Sequence, residues 1–248
     1  MVTTFPSRAG SHARKSFPVR FLEKYFYFSM SLLIAAVVVY GFSQTVGANL
    51  FHPAVPRPLL LAIHGACFSA WVLFFIFQSA LVRTRNVRLH KRTGWFGAGL
   101  VALMVPLGLT TAVVMGRFDV HVLHQQDEFA FLIVPFFDMA CFTVTILPAI
   151  LLRRKPELHR RFILVATCIL TSAAFGRFPT NFFPPAYFYT GVDVLILLGA
   201  LRDLVVMHRV HKIYLYSLPL LFAAQSAVVW IVNHNWAPWV RISKAIIG

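Results

Sequence analysis

The sequence predicts an all-α membrane protein, a bundle of seven transmembrane helices, from three observations. Apolar residues make up 58% of the 248-residue chain and charged residues only 12%, whereas a soluble domain carries about 25% charged residues. The apolar residues form runs long enough to cross a hydrocarbon core of roughly 30 Å as helices. The cations lie in short blocks between these runs.

The stretch from Pro58 to Trp95 shows this pattern most clearly. Its first 25 residues, Pro58–Val82, contain no Asp, Glu, Lys or Arg. Five cations then follow within residues 83–92, and a second uncharged run begins at Thr93. This order predicts a helical hairpin whose turn lies on the cytoplasmic side, where basic residues accumulate.

Similar apolar runs recur along the chain, and each is interpreted as a span. Residues 1–24 precede the first run, are polar and basic, and are predicted to form a cytoplasmic tail. The first run is too long for a signal-peptide core and lacks a convincing small-residue cleavage site, which favours a retained helix. Residues 237–248 are predicted to form a short outer tail. The transmembrane domain is predicted at 25–236, with spans at about 25–46, 58–82, 94–115, 129–152, 162–178, 187–205 and 213–233.

The distribution of cations predicts the orientation of the bundle. With the N-terminus inside, 18 of the 23 Lys and Arg residues fall in the tail and the inner turns, and five fall outside. The positive-inside rule therefore favours an inner N-terminus and an outer C-terminus in a bacterial cytoplasmic (inner) membrane. The inner basic turns are expected to contact anionic lipid headgroups.

The three inner turns repeat one pattern. They read Arg88–Arg92, Glu157–Arg161 and Arg209–Lys212, each with a branched aliphatic residue, then His, then a cation. The repeat predicts one lead helix followed by three hairpins of the same orientation. The simpler interpretation is a headgroup anchor with an amphipathic His; the alternative is a contact with a haem propionate or a lipid phosphate.

Several classes of protein are excluded or disfavoured. The net charge of +15 does not indicate a nucleic-acid partner, because the cations are divided among turns between apolar runs. The three cysteines lie inside apolar runs and form no CxxC, so no disulfide framework or thiolate metal site is indicated. Span 213–233 contains no Lys, which excludes a retinal Schiff base. A transporter lacks support, because the repeats run in one direction and the glycines do not cluster at mid-span.

Several motifs carry a resemblance to a known family. They begin with His64, Trp71 and Gln78 and continue with RLHKRTGW, VPFFDM and RRKPELHRRFILVAT, within residues 58–178. In these features the chain resembles a family of bacterial multi-spanning membrane proteins of unknown function. More distantly, it is similar to small membrane proteins associated with cytochrome oxidase assembly. The resemblance implies a fold and a compartment but no substrate.

Asp138 is the most distinctive polar residue within an apolar run, about ten residues from the outer end of the fourth span. A carboxyl group within a bilayer is costly, so it is expected to be protonated, or paired with a cation or a hydrogen-bond donor. The functional interpretations are a proton relay or an acceptor for a ligand or quinone hydroxyl. The structural interpretation is a buried Asp satisfied by a helix neighbour such as Thr143, Ser69 or Arg177.

His64 is a candidate axial haem ligand. It lies about two turns from the outer end of the second span, and Gly65, Cys67 and Ser69 follow it. Small neighbours allow a macrocycle or another helix to approach closely. A second ligand at similar depth is required, and His234 is the best placed. A hydrogen-bonded core His is the alternative.

The three histidines on the outer side, His121, His124 and His234, offer a divalent metal site as a further alternative. His121 and His124 are predicted to share one face of a short outer helix through their i, i+3 spacing. No HExxH or similar spacing occurs, so no metal ion is predicted.

Arg177 is predicted at the outer end of the fifth span and Asp193 near the start of the sixth. The two side chains are expected to pair across the outer loop as a structural staple. Alternatively, Arg177 holds a propionate or a substrate carboxylate in a bidentate contact.

Four further polar residues are given structural roles. Gln78 and Gln225 are single amides in apolar runs and are predicted to bridge helices. Arg202 and Asp203, at the inner end of the sixth span, are predicted to form an interfacial pair.

The leading hypothesis from the sequence is a redox protein that handles haem b or a quinone in the outer half of the bundle. His64 and His234 are the expected axial ligands, Arg177 the propionate partner and Asp138 the proton-linked group. The main alternative is a non-catalytic subunit or assembly factor that packs on other membrane subunits, its polar groups each stabilising helix contacts by about 0.6 kcal/mol. A proton-coupled transporter is the third hypothesis.

Overall fold

The computed structural model of the chain describes residues 17–181, 184 and 187–248, and its regular secondary structure in these residues is helical. Of the predicted N-terminal tail, residues 1–16 lie outside the described residues. The rest of that tail, from Phe17 onward, belongs to the first helix. A π-helical turn at Gly47–Phe51 follows this helix. The helices are α1 (Phe17–Ser43), α2 (Leu59–Arg83), α3 (Val87–His121), α4 (Glu128–Phe131), α5 (Ile133–Leu151), α6 (Pro156–Ile169), α7 (Ser172–Phe175), α8 (Phe188–Met207), α9 (Lys212–Asn233) and α10 (Ala237–Ile247).

Six helical segments of the described chain are long and apolar enough to cross a membrane, by length and composition. They are α1, α2, α3, α4 with α5, α6 with α7, and α9. The all-helical architecture is thereby confirmed for the described residues, and the six apolar segments fit a membrane protein. The predicted span at 187–205 is the 20-residue helix α8. It is not among the six, and its Asp193, Arg202 and Asp203 all lie within the stretch that would cross the membrane.

Helices α1, α3 and α6 begin well before the predicted spans, because the basic residues at their starts are helical too. Helix α3 begins at Val87, where the side chain of Asn86 accepts a hydrogen bond from the Leu89 amide at 3.3 Å and caps the helix. The cations of this first turn are good helix formers. Helix α3 continues to His121, and His124 follows in the left-handed region with φ 56°. The prediction that these two histidines share one helix was therefore wrong.

The predicted fifth span, 162–178, is divided in two. Helix α6 begins with Pro156, a residue suited to the first helical position, and ends at Ile169. The hydroxyl of Thr171 donates to the Cys168 carbonyl at 2.6 Å, and the short helix α7 follows. This break points the hydroxyl of Ser172, the first residue of α7, towards α5.

Helix α7 is enclosed by α1 on one side and α8 on the other. Gly41 makes the α1 contact possible, because a Cβ atom at this position would collide with the Ala174 carbonyl. On the opposite side Gly191 of α8 accommodates the ring of Phe175. Neighbouring helices also pack in sequence order, α1 on α2, α2 on α3, α5 on α6 and α8 on α9.

The predicted outer tail at 237–248 is largely the helix α10, which packs on α3 and α4. Its last residue, Ile247, is fully buried. Arg117 donates to the Ile246 carbonyl at 2.8 and 3.2 Å, and His121 lies 3.1 Å from the Ile247 carbonyl. These side chains satisfy carbonyls that the end of a helix leaves without intrahelical partners.

The repeated histidines of the basic turns hold helix ends together. His159 bonds through Nδ1 to the Ala149 carbonyl of α5 at 2.7 Å. His211 caps α9 by accepting from the Ile213 amide at 3.2 Å. The ring of His90 lies edge-on to that of His159, 6.3 Å away, so two of the turns meet. Anchoring in lipid headgroups stays a prediction for these turns.

Candidate functional site

Helix α7 and the two residues that follow it, Gly176 and Arg177, form the centre of the candidate site. Ser172 begins the helix and contacts Asp138 of α5. Arg177 follows it and reaches towards α1 and α2. The two polar positions are thus connected by a single turn of helix.

Asp138 is buried, with 7% of its surface exposed. The Ser172 hydroxyl donates to one carboxyl oxygen at 2.5 Å, and the Tyr189 hydroxyl of α8 donates to the other at 3.0 Å. The Tyr189 ring packs edge-on against Phe137. Both partners are neutral, and the described ion pairs include none with Asp138. The cluster is therefore a carboxyl group held by hydroxyls, an arrangement able to hold a proton.

The partners suggested for Asp138 from the sequence differ from its partners in the structure. The hydroxyl of Thr143 donates to the Met139 carbonyl of its own helix, Ser69 is exposed, and Arg177 lies beside other groups. Ser172 and Tyr189 come from helices that are 34 and 51 residues away in the chain, and spacing within an apolar run carries no signal of such distant contacts.

Two substitutions of Asp138 should distinguish the contribution of its hydrogen bonds to stability from that of its ionisable carboxyl group. Asp138→Asn keeps an acceptor and a donor for the two hydroxyls, so we expect a free energy of unfolding within about 1 kcal/mol of the native value. Asp138→Leu leaves two buried hydroxyls without an acceptor and is expected to cost about 2 to 4 kcal/mol. Unfolding in mixed detergent micelles measures both. Equal losses for the two variants would mean that the carboxylate charge itself stabilises the fold.

Arg177 is half-buried and packs against an aromatic ring. Its guanidinium lies 4.5 Å from the centre of the Phe42 ring and donates to the Ala173 carbonyl. Beside it, the ring of Phe178 packs edge-on against Tyr40. In the part of the chain that the structure describes, Arg177 forms no ion pair with a carboxylate.

The predicted staple between Arg177 and Asp193 is absent from the described residues, because Asp193 has a different partner. With the amide of Gln225 oriented so that its nitrogen faces α8, it donates to both oxygens of Asp193 at 3.1 Å. Gln225 therefore bridges α9 and α8, as predicted. Gln78 also bridges two helices, since it donates to Thr93 of α3 at 2.7 Å.

His64 lies in the second turn of α2 with its ring stacked on Phe68, 4.1 Å between centroids. Its Nδ1 atom is buried and has no hydrogen-bond partner among the described residues. Arg177 is close enough to act electrostatically on this ring. The structure thus brings His64 and Arg177 to the same end of the bundle.

His234 has separate surroundings. It follows the last residue of α9 and is exposed. Its ring stacks on Trp230, 4.8 Å between centroids, and its Nδ1 atom lies 2.9 Å from the Trp230 carbonyl. Helix α9 packs on α4, α5, α6 and α8, whereas α2 packs on α1 and α3.

A second polar cluster, the ion cluster, lies at the other end of α6 and consists of Glu157, Arg160, Arg161, Arg202 and Asp203. Arg161 and Asp203 are fully buried, and the guanidinium binds both carboxylate oxygens, at 2.7 and 2.9 Å. Arg202 also donates to Asp203 at 2.9 Å. The predicted Arg202–Asp203 pair is confirmed, but it is buried within the bundle. The burial of Arg161 could not be predicted, because nothing in the sequence of the basic turn distinguishes it from the exposed cations beside it.

Neither grouping resembles a metal centre: in residues 17–181, 184 and 187–248, no three His, Cys, Asp or Glu side chains are grouped so as to hold a metal ion. Searches of protein-family models, of curated proteins and of solved structures found no match for the chain. The geometry described above is therefore the basis for a function.

Proposed function

We propose that the chain is a multi-pass protein of a bacterial inner membrane with seven spans. These are the six apolar segments described above and, in addition, α8. The charges of α8 are paired within the bundle, Asp203 with Arg161 and Arg202, and Asp193 with Gln225. Pairing lowers the cost of charged groups near a bilayer. Seven spans and the excess of cations in the tail and the inner turns support an inner N-terminus and an outer C-terminus.

We further propose that the protein handles a quinone at the outer end of the bundle, as part of redox chemistry in the membrane. One observation carries this proposal. His64 has a buried ring nitrogen without a hydrogen-bond partner in the described chain, and the neighbouring Arg177 lacks a carboxylate there. Polar groups buried in this way are normally hydrogen-bonded, and a ligand with acceptor oxygens would satisfy both.

The surroundings of the two side chains suit a quinone headgroup. Phe68 and Phe42 lie against His64 and Arg177 and supply apolar ring surface. Arg177 donates hydrogen bonds only, which suits a quinone carbonyl. A His nitrogen can donate to a carbonyl or accept from a quinol hydroxyl, depending on its tautomer. A bound quinone would supply two-electron, two-proton chemistry.

Asp138 would act as the proton-holding group behind this site. Its carboxyl group accepts from Ser172 and Tyr189, and α7 connects Ser172 to Arg177 within one turn. A movement of Arg177 caused by the ligand would therefore be transmitted through α7 to Ser172 and Asp138. Other membrane subunits are the expected partners for the electrons.

Haem b suits the site less well. A second axial ligand is needed, and the exposed ring of His234 has its own contacts with Trp230. An absorption spectrum of the purified protein tests this alternative. A Soret band that shifts on dithionite reduction and disappears in His64→Ala would favour haem over quinone.

A non-catalytic accessory subunit or assembly factor is the second candidate. The observation in its favour is that Asp138 and Asp203 are satisfied by other helices of the chain, as expected of groups that only hold helices together. A colourless protein that fails to bind quinones and co-purifies with stoichiometric partners would support this role.

The quinone proposal is tested by equilibrium binding of a short-chain benzoquinone and a short-chain naphthoquinone in detergent micelles, measured by calorimetry. We expect Arg177→Gln and His64→Phe each to weaken quinone binding about tenfold, because each variant loses one or two hydrogen bonds to the ligand. His64→Phe keeps a ring that can stack on Phe68.

The matched control is Arg117→Gln. It removes the same charge from the same predicted face, but Arg117 holds the Ile246 carbonyl and should leave quinone affinity unchanged. Thermal unfolding confirms that each variant is folded. Unchanged affinity in both site variants, or an equal loss in Arg117→Gln, would contradict the proposal.

A further inference from the structure

A pair of histidines joins two of the basic segments of the chain. His90, in the first turn of α3, lies edge-on to His159 of α6, with 6.3 Å between the ring centroids. A second contact joins the same elements, since the guanidinium of Arg153, just after α5, lies 4.6 Å from the centroid of the Trp95 ring on α3. Both imidazoles are half-buried. The start of α3 is therefore fastened by side chains to the hairpin of α5 and α6.

The backbone groups around the two rings favour one proton on each. Nδ1 of His159 lies 2.7 Å from the Ala149 carbonyl, and a carbonyl only accepts, so this nitrogen carries the proton of the neutral ring. Nδ1 of His90 is buried and has no hydrogen-bond partner among the described residues. The backbone of Gln78 on α2 lies within hydrogen-bonding reach of the same ring. The single proton of a neutral His90 is therefore directed to its other nitrogen.

A second proton on either ring works against this contact. On His90 the proton would have to sit on the buried Nδ1, and an N–H group enclosed without an acceptor is costly. On His159 it would create a second cationic ring, 6.3 Å from the first. Two like charges at this separation repel, and partial burial reduces the screening by water. The observed arrangement therefore suits two neutral rings.

The charged groups of the surrounding elements do not compensate added positive charge. The basic side chains that these elements contribute include Arg83 (α2), Lys91 (α3), Arg153 (after α5), Arg160 and Arg161 (α6). The carboxylate of Glu157 on α6 is bound to Arg160 and Arg161, and Asp138 of α5 is held by hydroxyls. Within the described chain, neither histidine of the pair belongs to an ion pair. Protonation would therefore add charge to a segment that is already basic.

We propose that His90 and His159 form a pH-sensitive latch between the start of α3 and the hairpin of α5 and α6. The latch is closed while both rings are neutral and opens when both are protonated. An imidazole in water gains its second proton near about pH 6.5. Opening therefore takes up protons below this pH, and acid favours the open state. This inference is independent of the quinone proposal.

Thermal unfolding of the full chain in detergent tests the latch, at about pH 8 and at about pH 5.5, on either side of the ordinary imidazole value. The variant His90→Phe keeps a ring against His159 but has no nitrogen to protonate. Over this interval we expect the melting temperature of the native protein to fall by about 3 to 6 °C more than that of the variant. This is the shift that an unsatisfied buried N–H group implies in a chain of this size. Equal falls in the two proteins would overturn the proposal.

The matched control is His234→Phe. Nδ1 of His234 also lies near a carbonyl, that of Trp230 at 2.9 Å, but this side chain is exposed and water can solvate a second proton on it. His234→Phe should therefore lose as much melting temperature on acidification as the native protein does. If its loss were as small as that of His90→Phe, the effect would not be specific to the histidine pair, and the proposal would be wrong.

A distance measurement keeps the proposal testable if His90→Phe fails to fold. Val87→Cys and Leu151→Cys place nitroxide labels at the start of α3 and the end of α5, at uncharged positions that are 45% and 75% exposed. Electron spin resonance then compares the distance between the labels at the two pH values, with a chain that carries only the native cysteines as background. We expect a longer distance to appear at the acidic pH. An unchanged distance, or the same lengthening in a labelled His90→Phe chain, would overturn the latch.

Discussion

Asp203→Asn is expected to lower the free energy of unfolding by about 3 to 5 kcal/mol, because it removes one side of a fully buried ion pair. Asp203 and Arg161 are both 0% exposed. Asp203 also holds Arg202, which is nearly buried. With the carboxylate neutralised, two guanidinium groups keep their charge inside the bundle with too few acceptors. Unfolding of the purified protein in mixed detergent micelles gives the free energy directly.

Glu157→Gln is the matched control for this variant. It removes a carboxylate that contacts the same Arg161 at 2.7 Å, but the side chain of Glu157 is 56% exposed. Ion pairs exposed to solvent contribute about 0 to 1 kcal/mol, so the loss should be small. Similar losses in the two variants would show that burial of Asp203 does not set the energy of this cluster.

Gly41→Val is expected to destabilise the fold by about 2 to 3 kcal/mol, a typical cost of overpacking. A Cβ atom at Gly41 would meet the backbone of Ala174, and backbone cannot move aside as a flexible side chain can. Helix α1 must then separate from α7. Because α7 begins with Ser172 and ends two residues before Arg177, quinone binding should weaken as well.

The control for the second prediction is Gly65→Val. Gly65 also lies within a helix, and no described atom outside its own helix lies within 4 Å of a Cβ built there. The same substitution should therefore leave the stability within about 1 kcal/mol of the native value. If Gly41→Val is tolerated equally well, the close approach of α1 and α7 is not required.

The helices could be predicted from the sequence because each one is encoded locally. An apolar run of about 20 residues must form helix in a bilayer, since helix satisfies every backbone hydrogen bond within the run. The predicted runs 58–82 and 213–233 therefore match α2 and α9 within one residue. Helix ends at basic turns were less accurate, because cations are also good helix formers, and hydropathy alone placed the start of α3 seven residues late.

The polar residues of the candidate site could be found for the same local reason. His64, Asp138 and Arg177 stand out because a polar side chain is rare in an apolar run. Their partners could not be found. Ser172 and Tyr189 are common residues whose role depends on which helices meet, and the break before α7 has no strong signal such as proline.

The sequence by itself determined where the helices lie, their apolar character and which polar residues interrupt the apolar runs. These properties depend on composition within a window of about 20 residues. Only the tertiary structure decided that Asp138 is held by two hydroxyls, that Arg177 packs on Phe42 and forms no described ion pair with Asp193, and that Arg161 is paired with Asp203. The physical reason is that helix packing is set by close contacts of small and large side chains, such as Gly41 against Ala174, between residues far apart in the chain.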